Sequence, residues 1–118
     1  MQSEVTVLGL MSGSSLDGLD LALVRFFSSD QTPLFSHFSW EFLDGKTVPL
    51  SGKWKAQLQA LPHQSALNLV EADVLLGQWM ANRVNEFLAD SKLIPDLIVS
   101  HGHTIFHFPQ KGISTQIG

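Results

Sequence analysis

The sequence predicts an α/β domain with elements in the order β-β-β-α-α-β and further strand-like segments near its end. Three patterns support this prediction. Apolar segments separated by polar turns come first, which is typical of strands. Apolar residues at spacings of three and four then mark a long helix. Short apolar segments return after Pro95, and no internal repeat or low-complexity segment interrupts this order.

The first two strands are predicted to form a β-hairpin. Residues 5–11 are apolar and partly β-branched, which is typical of a buried strand. Residues 12–18, with the sequence SGSSLDG, form a polar turn that is longer than the commonest hairpin loops. From residue 19 to 24 both faces are largely apolar, which indicates a central strand covered on both sides.

A third strand is predicted after a loop at residues 28–33. Phe38, Trp40 and Phe42 occupy alternate positions, so they share one face, while the polar residues between them, beginning with His37, share the other. Three consecutive strands of this kind predict a meander.

Two helices are predicted next. The first covers residues 53–61 and ends at Pro62, and Ser65 is a suitable N-cap for the second, longer one. The spacing of apolar and small residues predicts the buried face of the long helix. This face comprises Leu67, Val70, Val74, Gly77, Ala81, Val84 and Leu88.

The last part of the chain predicts short strands. Pro95 precedes a short apolar segment at residues 96–100, which we expect to be a buried strand. A loop at residues 101–104 separates it from two strand-like segments, at residues 105–108 and 114–117. The chain stops directly after the last of these, as a truncated domain does.

Composition excludes several classes of function. The 118 residues suffice for one compact domain or one lobe of a larger protein, and 44% of them are hydrophobic, too many for a disordered chain. The net charge is −4 and no basic stripe is present, which argues against nucleic acid as a partner. The absence of cysteine excludes disulfides and thiolate zinc sites. The first apolar run is too short for a signal peptide or a membrane span, so we expect a cytoplasmic protein.

The polar turn is a candidate phosphate-binding site. Gly13 and Gly18 permit backbone angles that other residues resist, so that amide groups can converge on an anion. The hydroxyl groups of Ser12, Ser14 and Ser15 are additional donors.

The acidic residues of the turn indicate a metal ion beside the phosphates. Asp17 would repel phosphate unless a cation lay between them, and Mg²⁺ prefers carboxylate and water ligands. Asp20 could support the same ion or a bound water.

The plainer alternative is a solvated hairpin turn, because Ser, Gly and Asp are common turn residues. Neither a P-loop, nor a dinucleotide fingerprint, nor a G-x-S-x-G elbow is present.

Three histidines raise a competing interpretation, a metal-dependent hydrolase. On one strand His101 and His103 would point the same way and could bind zinc. No acidic residue completes the pattern, because Ile105 and Phe106 stand at the positions of its remaining ligands. A structural, hydrogen-bonded histidine is the alternative, and it is best suited to His107.

Four motifs in order resemble the anhydro-N-acetylmuramic acid kinases. GLMSGSSLDGLD at residues 9–20 is similar to their opening signature, with Ser14 where the family usually has Thr. VEADVLLGQWMANRVNEFL at residues 70–88 resembles their long helix. SHGHTIFHFP at residues 100–109 resembles their Ser-His-Gly-Gln-Thr segment, with His103 in place of Gln, and STQIG resembles the strand before a Gly-Asp pair.

The resemblance implies an actin-like ATPase fold, in which each of two lobes has a ribonuclease-H-like mixed sheet and ATP lies between the lobes. Residues 1–118 would form the N-terminal, incomplete part of the first lobe. The implied reaction is ATP-dependent phosphorylation of anhydro-N-acetylmuramic acid with hydrolytic opening of its anhydro bridge. The product would be N-acetylmuramic acid 6-phosphate in peptidoglycan recycling. The implied ligands are ATP, Mg²⁺ and this amino sugar, and a homodimer is compatible with the resemblance.

The resemblance also implies roles for particular residues. Those that would bind the ATP phosphates are Gly13, Ser14, Ser15, Leu16, Asp17, Gly18, Leu19 and Asp20. Asp17 would hold Mg²⁺ through water, and His101, Gly102 and His103 would lie on the sugar side of the cleft. The resemblance also implies a general base beyond Gly118, so we expect the chain alone to be inactive. A noncatalytic actin-like binding module is the remaining alternative.

Overall fold

The computed structural model describes residues 2–29 and 38–118 and contains a single five-stranded sheet in this part of the chain. Its elements follow the predicted order. The strands and α-helices are β1 (Gln2–Ser12), β2 (Gly18–Ser29), β3 (Phe38–Pro49), α1 (Gly52–Ala60), α2 (Ala66–Ser91), β4 (Leu97–Phe108) and β5 (Ile113–Ile117). Short 3₁₀ helices at Leu61–His63 and Pro109–Lys111 follow α1 and β4.

The sheet is mixed and has the strand order β3-β2-β1-β4-β5. β1, β2 and β3 pair antiparallel, which confirms the predicted hairpin and meander. β4 pairs parallel with β1 and antiparallel with β5. Parallel strands require a crossover connection, and α1 and α2 provide it. The predicted α/β class is therefore confirmed, and the arrangement is consistent with an actin-like ATPase lobe.

The core lies between one face of the sheet and the two helices. Leu8 and Leu10 on β1 pair with Leu23 and Leu21 on β2, so all four side chains share one face. We call this the covered face, because buried residues of both helices belong to the same cluster. Its helical members are Leu58, Ala72, Leu76, Met80, Val84 and Phe87.

The helix ends follow the sequence closely. Ser65 is the N-cap of α2, as predicted, and its hydroxyl oxygen accepts a hydrogen bond from the Asn68 amide at 3.1 Å. Ser51 caps α1 in the same way, accepting from the Trp54 amide. The predicted range of α1 is shifted from the observed one by one residue, and Pro62 lies in the 3₁₀ turn that follows.

The predicted buried face of α2 is largely wrong. Leu67, Val70 and Val74 are 56–65% exposed, and of the predicted face only Val84 is buried. The buried stripe runs through Leu76 and Met80, one residue before Gly77 and Ala81. A shift of one residue rotates the contact face by about 100°. The long side chains fill the space above the sheet, which glycine and alanine would leave empty.

The opposite face of the sheet, which we call the open face, is not covered by any helix of the described residues. Alternation places Met11, Leu97 and Val99 on it, and these side chains are 49–53% exposed. The predicted burial of the first part of β4, and cover on both sides of β2, are therefore not found. The central position of β2, between β1 and β3, is confirmed.

Two other details differ from the sequence prediction. β4 continues without interruption through residues 101–104, so the predicted loop is part of a strand that includes residues 105–108. Ser28 belongs to β2, while the remainder of the predicted loop beyond residue 29, and His37, lie outside the described residues. The last strand is confirmed as β5. No helix among the described residues is both long and apolar enough to cross a membrane.

Candidate functional site

Leu16 anchors the turn between β1 and β2 to the hydrophobic core. The Leu16 amide donates to the Gly13 carbonyl at 3.0 Å, which closes a β-turn. Leu16 has a left-handed backbone, with a φ of 59°, and its side chain is only 7% exposed within the core cluster. A left-handed conformation costs a leucine roughly 1–2 kcal/mol, and burial of the side chain offsets this cost.

The two glycines of the turn do not have the role predicted for them. Neither Gly13 nor Gly18 has a positive φ, so neither provides the special backbone angles that the sequence suggested. Gly18 is required for a different reason. A Cβ atom there would overlap with the Val48 carbonyl oxygen, so only glycine allows β2 and β3 to approach so closely.

The polar residues of the turn divide into an exposed and a buried group. Ser14, Ser15 and Asp17 are exposed, so their hydroxyl and carboxylate groups are accessible to a ligand. Ser12 is only 2% exposed, and its hydroxyl contacts the His103 ring. The prediction that Ser12 offers a free hydroxyl donor is therefore wrong, because a buried polar group is satisfied within the fold.

Asp20 lies on the open face, beside Met11. Its carboxylate accepts a hydrogen bond of 2.6 Å from the Thr47 hydroxyl on β3. This bond fixes the orientation of an exposed carboxylate next to the turn, while other lone pairs of the carboxylate remain available. Leu19, which precedes Asp20 on β2 and also belongs to the predicted set, is fully buried in the core.

A β-bulge brings the histidine segment next to the turn. Leu10 pairs with Ser100, and the next pair is Ser12 with His103, so His101 and Gly102 both stand opposite the single residue Met11. Gly102 has a φ of 76°, and a Cβ atom there would lie 2.8 Å from the Ile117 carbonyl oxygen. Glycine is therefore required at this position for both backbone angle and space.

His103 is buried on the covered face and is hydrogen-bonded to Ser12, the last residue of β1. Its Nδ1 lies 3.0 Å from Ser12 Oγ, and the residue is 4% exposed. Burial lowers the pKa of the His103 ring from its ordinary value near 6.5, and an interaction with the Ser12 backbone opposes part of this shift. The ring is therefore neutral at neutral pH.

The other two histidines are in different surroundings. His101 is exposed, so the expectation that His101 and His103 point the same way is wrong, because the bulge at Gly102 interrupts the alternation. His107 is exposed on β4, where its Nδ1 lies 3.4 Å from Ser114 Oγ. Within residues 2–29 and 38–118, no group of three or more His, Cys, Asp or Glu side chains could hold a metal ion.

The end of β5 is fixed to α2. The Gly118 amide donates to the Asp73 carboxylate at 2.6 Å. The Gly118 backbone also lies close to Gly77, because a Cβ atom added at Gly77 would be 3.3 Å from the Gly118 carbonyl carbon. The segment at residues 70–88, which resembles the family's long helix and contains Asp73 and Gly77, therefore contacts the end of the strand that pairs with His103.

Sequence reasoning found the turn and the histidine segment but missed how they are joined. It did not predict the Ser12–His103 contact, the anchoring role of Leu16 or the hydrogen bond from Thr47. The His-Gly-His sequence was the available signal, because a glycine between two strand residues is typical of a bulge. Together, the exposed hydroxyls and carboxylate form a donor and acceptor set at one end of the sheet, suited to a phosphate with a hard cation.

Comparison with known proteins identifies close relatives. The sequence profile of the family anhydro-N-acetylmuramic acid kinase matches residues 5–118. Proteins with that name from Pseudomonas syringae pv. syringae and Bacillus cereus (strain AH187) are 35% and 34% identical, over 94% and 88% of this chain. A third, from Bradyrhizobium diazoefficiens, is 32% identical over 97% of the chain. The chain spans 28–32% of the length of these three relatives.

Proposed function

The chain belongs to the anhydro-N-acetylmuramic acid kinase family, and we propose that the protein uses ATP to phosphorylate anhydro-N-acetylmuramic acid. In this reaction water opens the anhydro bridge, and the oxygen on the sixth carbon receives the γ-phosphoryl group. The product is N-acetylmuramic acid 6-phosphate, an intermediate in peptidoglycan recycling. Because the chain spans 29% of its Pseudomonas syringae relative, we propose that it contributes one part of the site, the turn that binds the ATP phosphates.

The observation that carries this proposal is the exposed turn at residues 13–17, held in place by buried Leu16. Ser14, Ser15 and Asp17 are exposed around this anchor, while Gly18 fixes the start of β2 against β3. A phosphate site needs donors that are fixed before the ligand arrives, because ordering them during binding would cost affinity. Anchoring by a buried leucine favours a built site over a freely solvated turn.

The residues present fit ATP with magnesium. The hydroxyls of Ser14 and Ser15 can donate to phosphate oxygens, and Asp17 provides a carboxylate that can bind a water ligand of the ion. When bound, Mg²⁺ neutralises charge on the transferring phosphoryl group. Asp20, oriented by Thr47, can hold a second water close to the turn. The chain's own residues would bind and orient the phosphates, and positioning is one of the two main sources of phosphoryl-transfer catalysis, beside electrostatic stabilisation.

We propose that the sugar lies on the His101 side of the turn. His101 is exposed and neighbours Gly102 in the bulge, which stands opposite Met11 at the end of β1. An exposed imidazole can donate to or accept from a sugar hydroxyl. The role of His101 and Gly102 in sugar binding remains a prediction.

The test of this function is Asp17→Asn in the full-length protein that carries this chain. We expect kcat to fall about a hundredfold, because the variant removes charge that helps hold the ion. Raising the magnesium concentration should restore part of the loss. The free energy of unfolding should change by less than about 0.5 kcal/mol, since Asp17 is exposed. Coupled ATP assays with the anhydro-sugar at several magnesium concentrations measure the loss of kcat and its recovery. Thermal unfolding of the variant and the wild type measures the change in stability.

Two variants and one reference sample act as controls. Asp90→Asn makes the same change at an exposed position on α2, and Ser14→Thr introduces the residue usual in the family. Both should keep nearly normal kcat. The 118-residue chain by itself should give no turnover. A wild-type kcat for Asp17→Asn at low magnesium would show that the turn does not hold the ion.

A further inference from the structure

We infer that His103 is a positioning residue for the phosphate-binding turn, acting through its buried hydrogen bond to Ser12. Ser12 is the last residue of β1, and the turn begins at the next residue. The position of the Ser12 side chain therefore bears on the direction in which the turn leaves the sheet. The inference rests on the proposed function for one point, that the ligand of the turn is the phosphates of ATP. The contact between His103 and Ser12 does not depend on that proposal.

The bulge is what places the ring in contact with Ser12. If the register of β1 and β4 continued unchanged from the pair Leu10–Ser100, Ser12 would stand opposite Gly102, and His103 would point to the open face. The extra residue at His101–Gly102 turns the His103 side chain to the covered face instead. The β-bulge in β4 therefore lies where this strand pairs with the end of β1, directly before the turn.

The contact is buried on both sides. Ser12 is 2% and His103 4% exposed, and their hydrogen bond spans 91 positions in sequence. A buried polar pair of this kind favours one geometry, because breaking the bond takes a partner from each group in an environment that excludes water. On its other side β4 pairs with β5, where His103 stands opposite Ile117, so the backbone at His103 is paired with a neighbouring strand on both sides.

This role differs from the one expected from the sequence, which placed His103 beside the sugar. A ring with 4% exposure presents almost no surface to a ligand, whereas exposed His101 does. The structure thus separates two functions within three residues. His101 is accessible to substrate, Gly102 forms the bulge, and His103 supports the turn.

Nuclear magnetic resonance spectra of the 118-residue chain test the inference without any ligand. We expect His103→Leu and Ser12→Ala to shift the amide resonances of residues 13–17 in the same direction. The double variant should add little to either single change, because both remove one bond. His103→Gln retains a side-chain donor and acceptor and should restore most of the wild-type positions. His101→Gln is the matched control and should leave the turn amides unchanged.

Kinetics of the full-length protein provide a second readout. His103→Leu should lower kcat/KM for ATP about ten- to a hundredfold through misplacement of the turn, with the KM for the sugar unchanged. His103→Gln should recover most of this loss. If His103→Leu does not fold, Ser12→Ala and His103→Gln give the same comparison.

Either of two results would overturn the inference. The first is that the amide resonances of residues 13–17 are unchanged in both Ser12→Ala and His103→Leu. The second is a raised KM for the sugar with unchanged ATP kinetics, which would put the ring in the sugar site. A wild-type protein without kinase turnover would instead refute the proposed function, and the spectra would still decide the role of His103.

Discussion

The covered and open faces of the sheet are similarly apolar in sequence but differ greatly in burial. On the covered face Leu8, Leu19 and Leu23 are completely inaccessible to solvent. On the open face Phe42 and Leu97 are 59% and 53% exposed, although neither would be unusual in a protein core. The difference teaches that apolarity marks where a second layer can pack and does not by itself show that a layer is present.

Polar groups follow the same division. The covered face buries Ser12 and His103, which satisfy each other. The open face carries Asp20, which is exposed and bonded to Thr47. The turn joins the two faces, because Leu16 packs into the covered side while Asp17 stays in solvent. The candidate site is therefore packed into the core on one side and accessible to solvent on the other.

The largest expected effect is a loss of stability, measured for the same Leu→Ala substitution on each of the two faces. Leu23→Ala should destabilise the chain by about 2–5 kcal/mol, because it leaves a cavity in the packed core. Leu97→Ala, on the open face, should cost about 1 kcal/mol or less, since half of this side chain already contacts water. Urea denaturation of both variants measures the difference. Equal losses would mean that the open face is covered in solution.

Leu16 allows a sharper test of the covered side. Leu16→Ala and Leu16→Gly both remove the buried side chain, but glycine has no penalty at a φ of 59°. We expect Leu16→Gly to be more stable than Leu16→Ala by about 1 kcal/mol, the reverse of the usual order in regular structure. Thermal unfolding of the two variants decides it. If alanine were the more stable, the left-handed turn would not be the conformation in solution.

The last prediction concerns pH and the buried histidine. Because the pKa of His103 is lower in the folded protein than in the unfolded chain, the unfolded chain binds more protons below about pH 6.5. Stability should therefore fall as the pH decreases below this value, and more so in wild type than in His103→Gln. Melting temperatures at pH 7.5 and below pH 6 measure this, and identical pH profiles for both proteins would contradict burial of the ring.

Much of the fold could be predicted from the sequence, because its signals are local. Two apolar segments joined by a polar turn predicted the hairpin, alternation at residues 38–42 predicted the third strand, and Ser65 marked the start of α2. The α2 face was predicted wrongly because two apolar stripes lie side by side on that helix. Only the shape of the sheet beneath selects the one with Leu76 and Met80.

The candidate site shows the same limit. The sequence by itself determined the composition of the turn, the pair of histidines around Gly102 and the resemblance to the kinase family, since these depend on residue types at fixed spacing. Only the tertiary structure decided which groups are available to a ligand. The parallel pairing of β1 with β4 and the bulge bury His103 against Ser12 and leave His101 and Asp17 exposed. The physical reason is that one extra residue in a strand moves a side chain to the other face, and pairing between segments 91 positions apart decides where that residue lies.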